Sequence, residues 1–194
     1  YRSAGTVNLN TTANWEVFNG TSWNAAPAAV SPNAANLTSG TIPILAGHTW
    51  NNNAGTVVVP SGVTLVFKGV AGTFTAGAIT LNGTYVHFST AAAATVYTGM
   101  TIATNSTFIY RASSAVQPSA TFNGRTYYNL MFDTDGTTVA NPTFSSPGII
   151  APNSLIVNGT FTVNNWGIDL YSASNTGATN FNGSIVLTGT NTYL

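Results

Sequence analysis

The sequence supplies little ionisable chemistry: two histidines, four Lys or Arg and four Asp or Glu in 194 residues, with no cysteine. His48 lies in Ala46-Gly47-His48-Thr49-Trp50, just after a glycine of turn character. Neither it nor His87, in Tyr85-Val86-His87-Phe88, has a carboxylate nearby in the chain, as a metal site or an acid–base pair would want. His48 is expected to satisfy a backbone hydrogen bond. His87 alternates with Val86 and Phe88, which predicts that it points away from them, toward solvent. Asp133-Thr134-Asp135-Gly136 opens like a calcium loop, but the fuller pattern needs more oxygen ligands and a bidentate Glu. Asp-Gly chemistry predicts a turn that closes a strand over residues 127–132. The carboxylates Glu16, Asp133, Asp135 and Asp169 are too dispersed to suggest a glycosidase pair. No Gly-x-Ser-x-Gly elbow orients a serine nucleophile. These residues point to a protein that is not an enzyme, with no catalytic residue, no metal site and no cofactor.

Aromatic residues offer a different chemistry. Trp15, Trp23 and Trp50 fall in the first fifty residues of the chain, where they can close the apolar end of a repeat stack. Their rings could instead form a platform for sugars, since Trp and Tyr combine an apolar face with a polar edge. Trp15, Trp23 and Trp50 are therefore the candidate glycan-contact residues. Thr-x-Thr occurs only sporadically, as at Thr73-Phe74-Thr75 and Thr160-Phe161-Thr162, which makes an ice-binding ladder a distant reading.

Composition narrows the partners. Only 4% of residues are charged, the formal net charge is zero, and both signs are scattered, so no basic stripe is present to neutralise phosphates. Nucleic acid is not expected as a partner. No apolar run reaches the roughly 20 residues that a membrane-spanning helix needs, so membrane insertion is not expected either. Hydrophobic residues make up 44%, enough for a core, while solubility must rest on Asn, Thr, Ser and backbone amides. Such low charge with abundant Asn and Thr suits a secreted bacterial β protein. The chain opens at Tyr1 without a methionine or an apolar leader, which reads as a processed or excised piece.

The elements that must position these residues are strands. β-branched and aromatic residues gather in short runs broken by Gly, Asn, Ser and Pro, and no sustained helical spacing occurs. Pro27 and Pro32 interrupt the Ala-rich piece from Trp23 to Asn36, predicting a loop. One turn type recurs at Val59-Pro60-Ser61-Gly62, Leu81-Asn82-Gly83, Ala103-Thr104-Asn105-Ser106, Phe122-Asn123-Gly124, Val157-Asn158-Gly159 and Phe181-Asn182-Gly183. Gly62 to Gly83 is 21 residues, Gly83 to Ser106 is 23, Ser106 to Gly124 is 18 and Gly159 to Gly183 is 24. That spacing fits one solenoid coil. The 35 residues from Gly124 to Gly159 imply an insertion. The expected fold is all-β: a right-handed parallel β-helix or solenoid, with an amino-terminal capping region and first strands over 1–50 and coils over 51–194. The competing reading is an antiparallel β-sandwich, because Asn-Gly between alternating runs is also a strong hairpin signal.

The residues also carry a resemblance. Tyr1-Arg2-Ser3-Ala4-Gly5, Trp15-Glu16, Thr21-Ser22-Trp23 and Ile44-Leu45-Ala46-Gly47-His48-Thr49 resemble the start of β-helical surface proteins of Bacteroidetes exported by the type IX secretion system. Tyr127-Tyr128-Asn129-Leu130 and Ser154-Leu155-Ile156-Val157-Asn158-Gly159-Thr160-Phe161-Thr162 are similar to coils of the same proteins. The resemblance implies an extracellular or cell-surface location and a structural or adhesive role of the kind found in gliding-motility adhesins. The partners it implies are the secretion machinery during export and downstream domains of the same protein. Surface glycans are a further candidate partner, and a polysaccharide-degrading or carbohydrate-binding module is the alternative function. The carboxyl-terminal sorting domain of such cargo is absent, and the strand from Gly183 to Leu194 lacks a polar cap, so a segment truncated at its carboxyl end is expected.

Overall fold

The fold is described from a computed structural model, over residues 1–8, 14–27, 39–52, 56–74, 79–88, 100–112, 125–134, 155–164 and 179–188. These residues form eighteen strands and no helix. They fall into two compact units, Tyr1–Val86 with Ala91–Ala103, and His87–Thr90 with Thr104–Leu194.

In the first unit, β1 (Arg2–Ser3), β2 (Trp15–Phe18) and β3 (Trp23–Ala25) make an antiparallel sheet, in that order. All sheets that follow are parallel. β4 (Gly40–Ile44) pairs with β7 (Val63–Phe67), and β10 (Thr84–Phe88) follows β7 in the same sheet. β5 (Thr49–Asn52) pairs with β8 (Val70–Phe74), and Val7 bridges Trp50 in parallel, so the entering chain adds to that sheet. β6 (Val57–Val59), β9 (Ile79–Leu81) and β11 (Met100–Ile102) form a third sheet with β9 in the middle. Successive strands thus pair with the strand one coil later instead of with their chain neighbours. β9 and β10, which flank Asn82-Gly83, lie in different sheets, and this parallel stack excludes the hairpin and the antiparallel sandwich built on it. β4 and β5 are first strands of this parallel stack, pairing with β7 and β8.

The second unit repeats the scheme. β12 (Thr107–Ala112), β14 (Asn129–Thr134), β16 (Phe161–Asn164) and β18 (Ile185–Thr188) are neighbours in that order, all parallel. β13 (Arg125–Tyr127), β15 (Leu155–Val157) and β17 (Thr179–Phe181) form the other parallel sheet. The insertion expected between Gly124 and Gly159 lies mostly outside the described residues.

Register explains why short strands suffice. Val57 and Val59 stand level with Ile79 and Leu81, and these with Met100 and Ile102, so like residues stack in layers. The four from Val57 to Leu81 are buried, and complete burial of one such side chain is worth about 1.5–3 kcal/mol. In the second unit Phe108, Leu130 and Phe161 are level and fully buried. Rings meet along the stack, Tyr110 with Phe132 at 6.2 Å, Phe132 with Phe161 at 6.0 Å and Phe161 with Phe181 at 4.6 Å.

The recurrent turns divide into two kinds. Val63 N donates to Pro60 O with Gly62 at φ 85°, and His48 N donates to Leu45 O with Gly47 at φ 78°; both place glycine where a type II turn needs positive φ. The Asn-Gly turns use glycine for closeness. A Cβ on Gly83 would collide with the carbonyl oxygens of Pro60 and Val63, and one on Gly183 with that of Gly159. These turns stack on one another: Asn82 N and Gly83 N both donate to Val59 O, Asn182 N donates to Val157 O, and Asn182 Nδ2 donates to Asn158 Oδ1 at 2.8 Å.

Candidate functional site

His48 is built into the junction between the entering chain and the first coil. Its Nδ1 accepts from Gly5 N at 3.2 Å and lies 2.8 Å from Ser3 Oγ, which itself accepts from Leu45 N at 2.8 Å. With a backbone donor aimed at Nδ1, that nitrogen carries the lone pair, and the Ser3 hydroxyl proton is directed to it. Ser3 is fully buried, so this relay satisfies polar groups that water does not reach. His48 is therefore a structural acceptor, as its position after a turn glycine predicts.

His87 departs from its expectation. It is only 4% exposed, and its ring centroid lies 5.6 Å from that of Tyr110. The alternation rule assumes a strand with one wet face, but Tyr85, Val86, His87 and Phe88 are all buried, so β10 is covered on both sides. Asp133 also departs. It sits inside β14, in register with Arg111 of β12, and its Oδ2 accepts from Arg111 Nε at 3.0 Å and Nη2 at 2.9 Å. A cross-strand ion pair, not turn chemistry, accounts for this residue, while Asp135 and Asp169 lie outside the described residues. The guanidinium lies 5.9 Å from the Phe88 ring centroid. Burial pushes the Tyr85 and Tyr110 phenols well above their ordinary range. Among the described residues no group of three or more His, Asp or Glu could hold a metal ion, and no helix is long and apolar enough to cross a membrane.

The three tryptophans separate. Trp50 is fully buried between Phe67, at 5.4 Å, and Tyr85, at 6.4 Å. Trp15 is 2% exposed and donates from Nε1 to Asn8 O at 3.0 Å. Enclosed rings cannot offer a face to a sugar, which removes Trp15 and Trp50 as glycan contacts. Trp23 keeps 37% exposure. It stands opposite Phe18, itself 50% exposed, with ring centroids 5.2 Å apart.

The register of the antiparallel sheet assigns its two faces. Ser3 is level with Trp15, and both are buried. Arg2 is level with Glu16, two residues before Phe18, so Arg2, Glu16, Phe18 and Trp23 share the opposite, outward face. There Arg2 Nε donates to Glu16 Oε2 at 2.6 Å, and its guanidinium carbon lies 4.5 Å from the Trp23 ring centroid. Phe18 escaped the reading of the sequence, although Phe18 and Trp23 flank Asn19-Gly20-Thr21-Ser22, a hairpin loop signal. That loop is held by Asn19 Oδ1, which accepts from Thr21 N and Ser22 N. No family model, no curated protein and no solved structure matches this chain.

Proposed function

We propose that this chain is a non-enzymatic segment of an exported bacterial surface protein, with a structural and adhesive role. The observation that carries the reading is the use the fold makes of three ionisable side chains among the described residues. His48 is committed to Ser3 and Gly5, Asp133 to Arg111, and Glu16 to Arg2. General acid–base catalysis needs such groups poised toward a substrate, whereas these hold strands to one another. Low charge and Asn- and Thr-rich turns support an extracellular setting, and the resemblance to type IX secretion cargo supports export. The partners of this reading are the secretion machinery and further coils or domains of the same protein.

Two assays test it. Purified chain is incubated with a polysaccharide panel and assayed for new reducing ends and unsaturated products, in parallel with His48→Ala, His87→Ala and Asp133→Ala. Turnover that one of these substitutions abolishes overturns the non-enzyme reading. Protease treatment of intact producing cells tests location: the reading expects the chain to be accessible from outside, and full protection contradicts it.

A further inference from the structure

We infer that the outward face of the amino-terminal sheet, formed by Arg2, Glu16, Phe18 and Trp23, is a contact site for a neutral glycan. The inference deepens the adhesive reading above and rests on it. Two large rings are held at the surface here, at 50% and 37% exposure, on directly opposed positions of β2 and β3. The strands fix the ring positions, and the Asn19 loop closes the hairpin beside them. A pyranose has apolar C–H faces and a rim of hydroxyls; here Phe18 and Trp23, tilted 43° to each other, leave apolar ring surface exposed beside polar side chains, with the Arg2 guanidinium lying over the Trp23 ring. The hydrogen-bonding groups are those that Arg2 and Glu16 keep beyond their mutual pair and the Arg2–Trp23 contact. Their 2.6 Å pair uses the Nε–H of a guanidinium with five donors, and a carboxylate has several acceptor positions.

The same geometry selects the class of ligand. Arg2 and Glu16 cancel in charge, so the patch carries no net field to draw a phosphate, sulfate or uronate polymer. A stable protein partner ordinarily covers about 800 Å² and 20–30 residues per side, and among the described residues this face consists of a single hairpin with a two-residue strand beside it. One or two sugar rings match it better. Multiple copies on a cell would add avidity to a weak single contact.

Affinity electrophoresis tests the inference directly. The native chain is run through gels containing a soluble β-glucan, a xylan or a galactomannan, with alginate as the anionic comparison, at low salt and at 0.5 M sodium chloride. The inference expects retardation by at least one neutral polymer, insensitive to salt, weakened about tenfold or more by Trp23→Ala and markedly by Phe18→Ala. Thermal melts establish that each variant is folded, and if Trp23→Ala is not, Phe18→Ala decides. Retardation by none of the neutral polymers overturns the inference, as does retardation that both variants leave unchanged, or retardation by alginate alone that salt abolishes. A chain accessible on intact cells but retained by no neutral polymer overturns this glycan assignment while leaving surface display intact.

Discussion

Replacing Gly83 by Ala adds one methyl group at the point where two coils touch. The new carbon would meet the carbonyl oxygens of Pro60 and Val63, and Pro60 C at 3.2 Å. These are backbone atoms, so no side chain can swing aside. Gly83 is absent from the positive-φ residues, and the penalty therefore comes from the contact between coils, not from the dihedral of the new alanine. Relief requires the coils to separate locally, which weakens the bonds from Asn82 N and Gly83 N to Val59 O, at 2.9 and 3.1 Å. Two such bonds contribute about 1 kcal/mol each, and overpacking typically costs about 1–3 kcal/mol. A loss of about 3 kcal/mol follows, or a fall of roughly 6–12 °C in midpoint for a chain of this size. Gly20→Ala is the comparison: its Cβ would meet nothing within 4 Å, and only its φ of 99° opposes the change. Urea titration and thermal melts followed by circular dichroism measure both. A Gly83→Ala chain within about 0.5 kcal/mol of the native one would refute the reasoning, because the turns could not then be stacked so closely.

Asp133→Ala strands the Arg111 guanidinium beside Phe88 and should cost about 2–3 kcal/mol by urea titration, whereas removing both charges with Arg111→Met and Asp133→Leu should recover most of that loss. His48→Ala removes the acceptor of Gly5 N and leaves buried Ser3 without its ring partner; about 1–3 kcal/mol should be lost, with faster hydrogen exchange at Gly5 and Leu45. The phenols of Tyr85 and Tyr110 are held above the ordinary value near 10, so the folded chain retains protons that the unfolded chain releases. Stability should therefore be flat up to about pH 9 and fall above about pH 10, with a shallower fall in Tyr85→Phe; denaturant titrations across that range read it, and a stability that rises above pH 10 would contradict the burial of these rings.

Much of the coil architecture was legible because each coil uses the same local chemistry. The Gly62 to Gly83 spacing, the Pro-Ser-Gly and Asn-Gly turns and the Val-Val-Val and Ile-Thr-Leu strands mark successive layers, and Val57 and Val59 do stand level with Ile79 and Leu81. The meaning of Asn-Gly was less legible. As a local signal it suggests a hairpin, yet its glycine answers a constraint from another coil, which no window of neighbouring residues contains. His87 shows a similar limit, since alternation predicts which residues share a face but not whether both faces are covered. Asp133 looked like a turn residue beside Gly136, and only its register with Arg111, 22 positions earlier, explains it. At the amino terminus the number of tryptophans was visible, but Trp15 and Trp23 part company because they lie on opposite faces of one small sheet, and Phe18 joins Trp23 through register alone.

The central claim is that β-strands pair with the strand one coil away and in parallel, and a disulfide between coils tests it most directly. Val58 and Thr80 are in register on β6 and β9, both half-buried, and the chain has no cysteine to interfere. Neighbouring strands lie about 4.8 Å apart, within the range of Cα separations that a disulfide spans. Val58→Cys with Thr80→Cys should close quantitatively in the folded monomer under mild oxidation, giving one cross-linked peptide by mass spectrometry without loss of stability. Two thiols that stay free in the folded protein, or that join only after denaturation, would contradict the solenoid and everything built on its stacked turns.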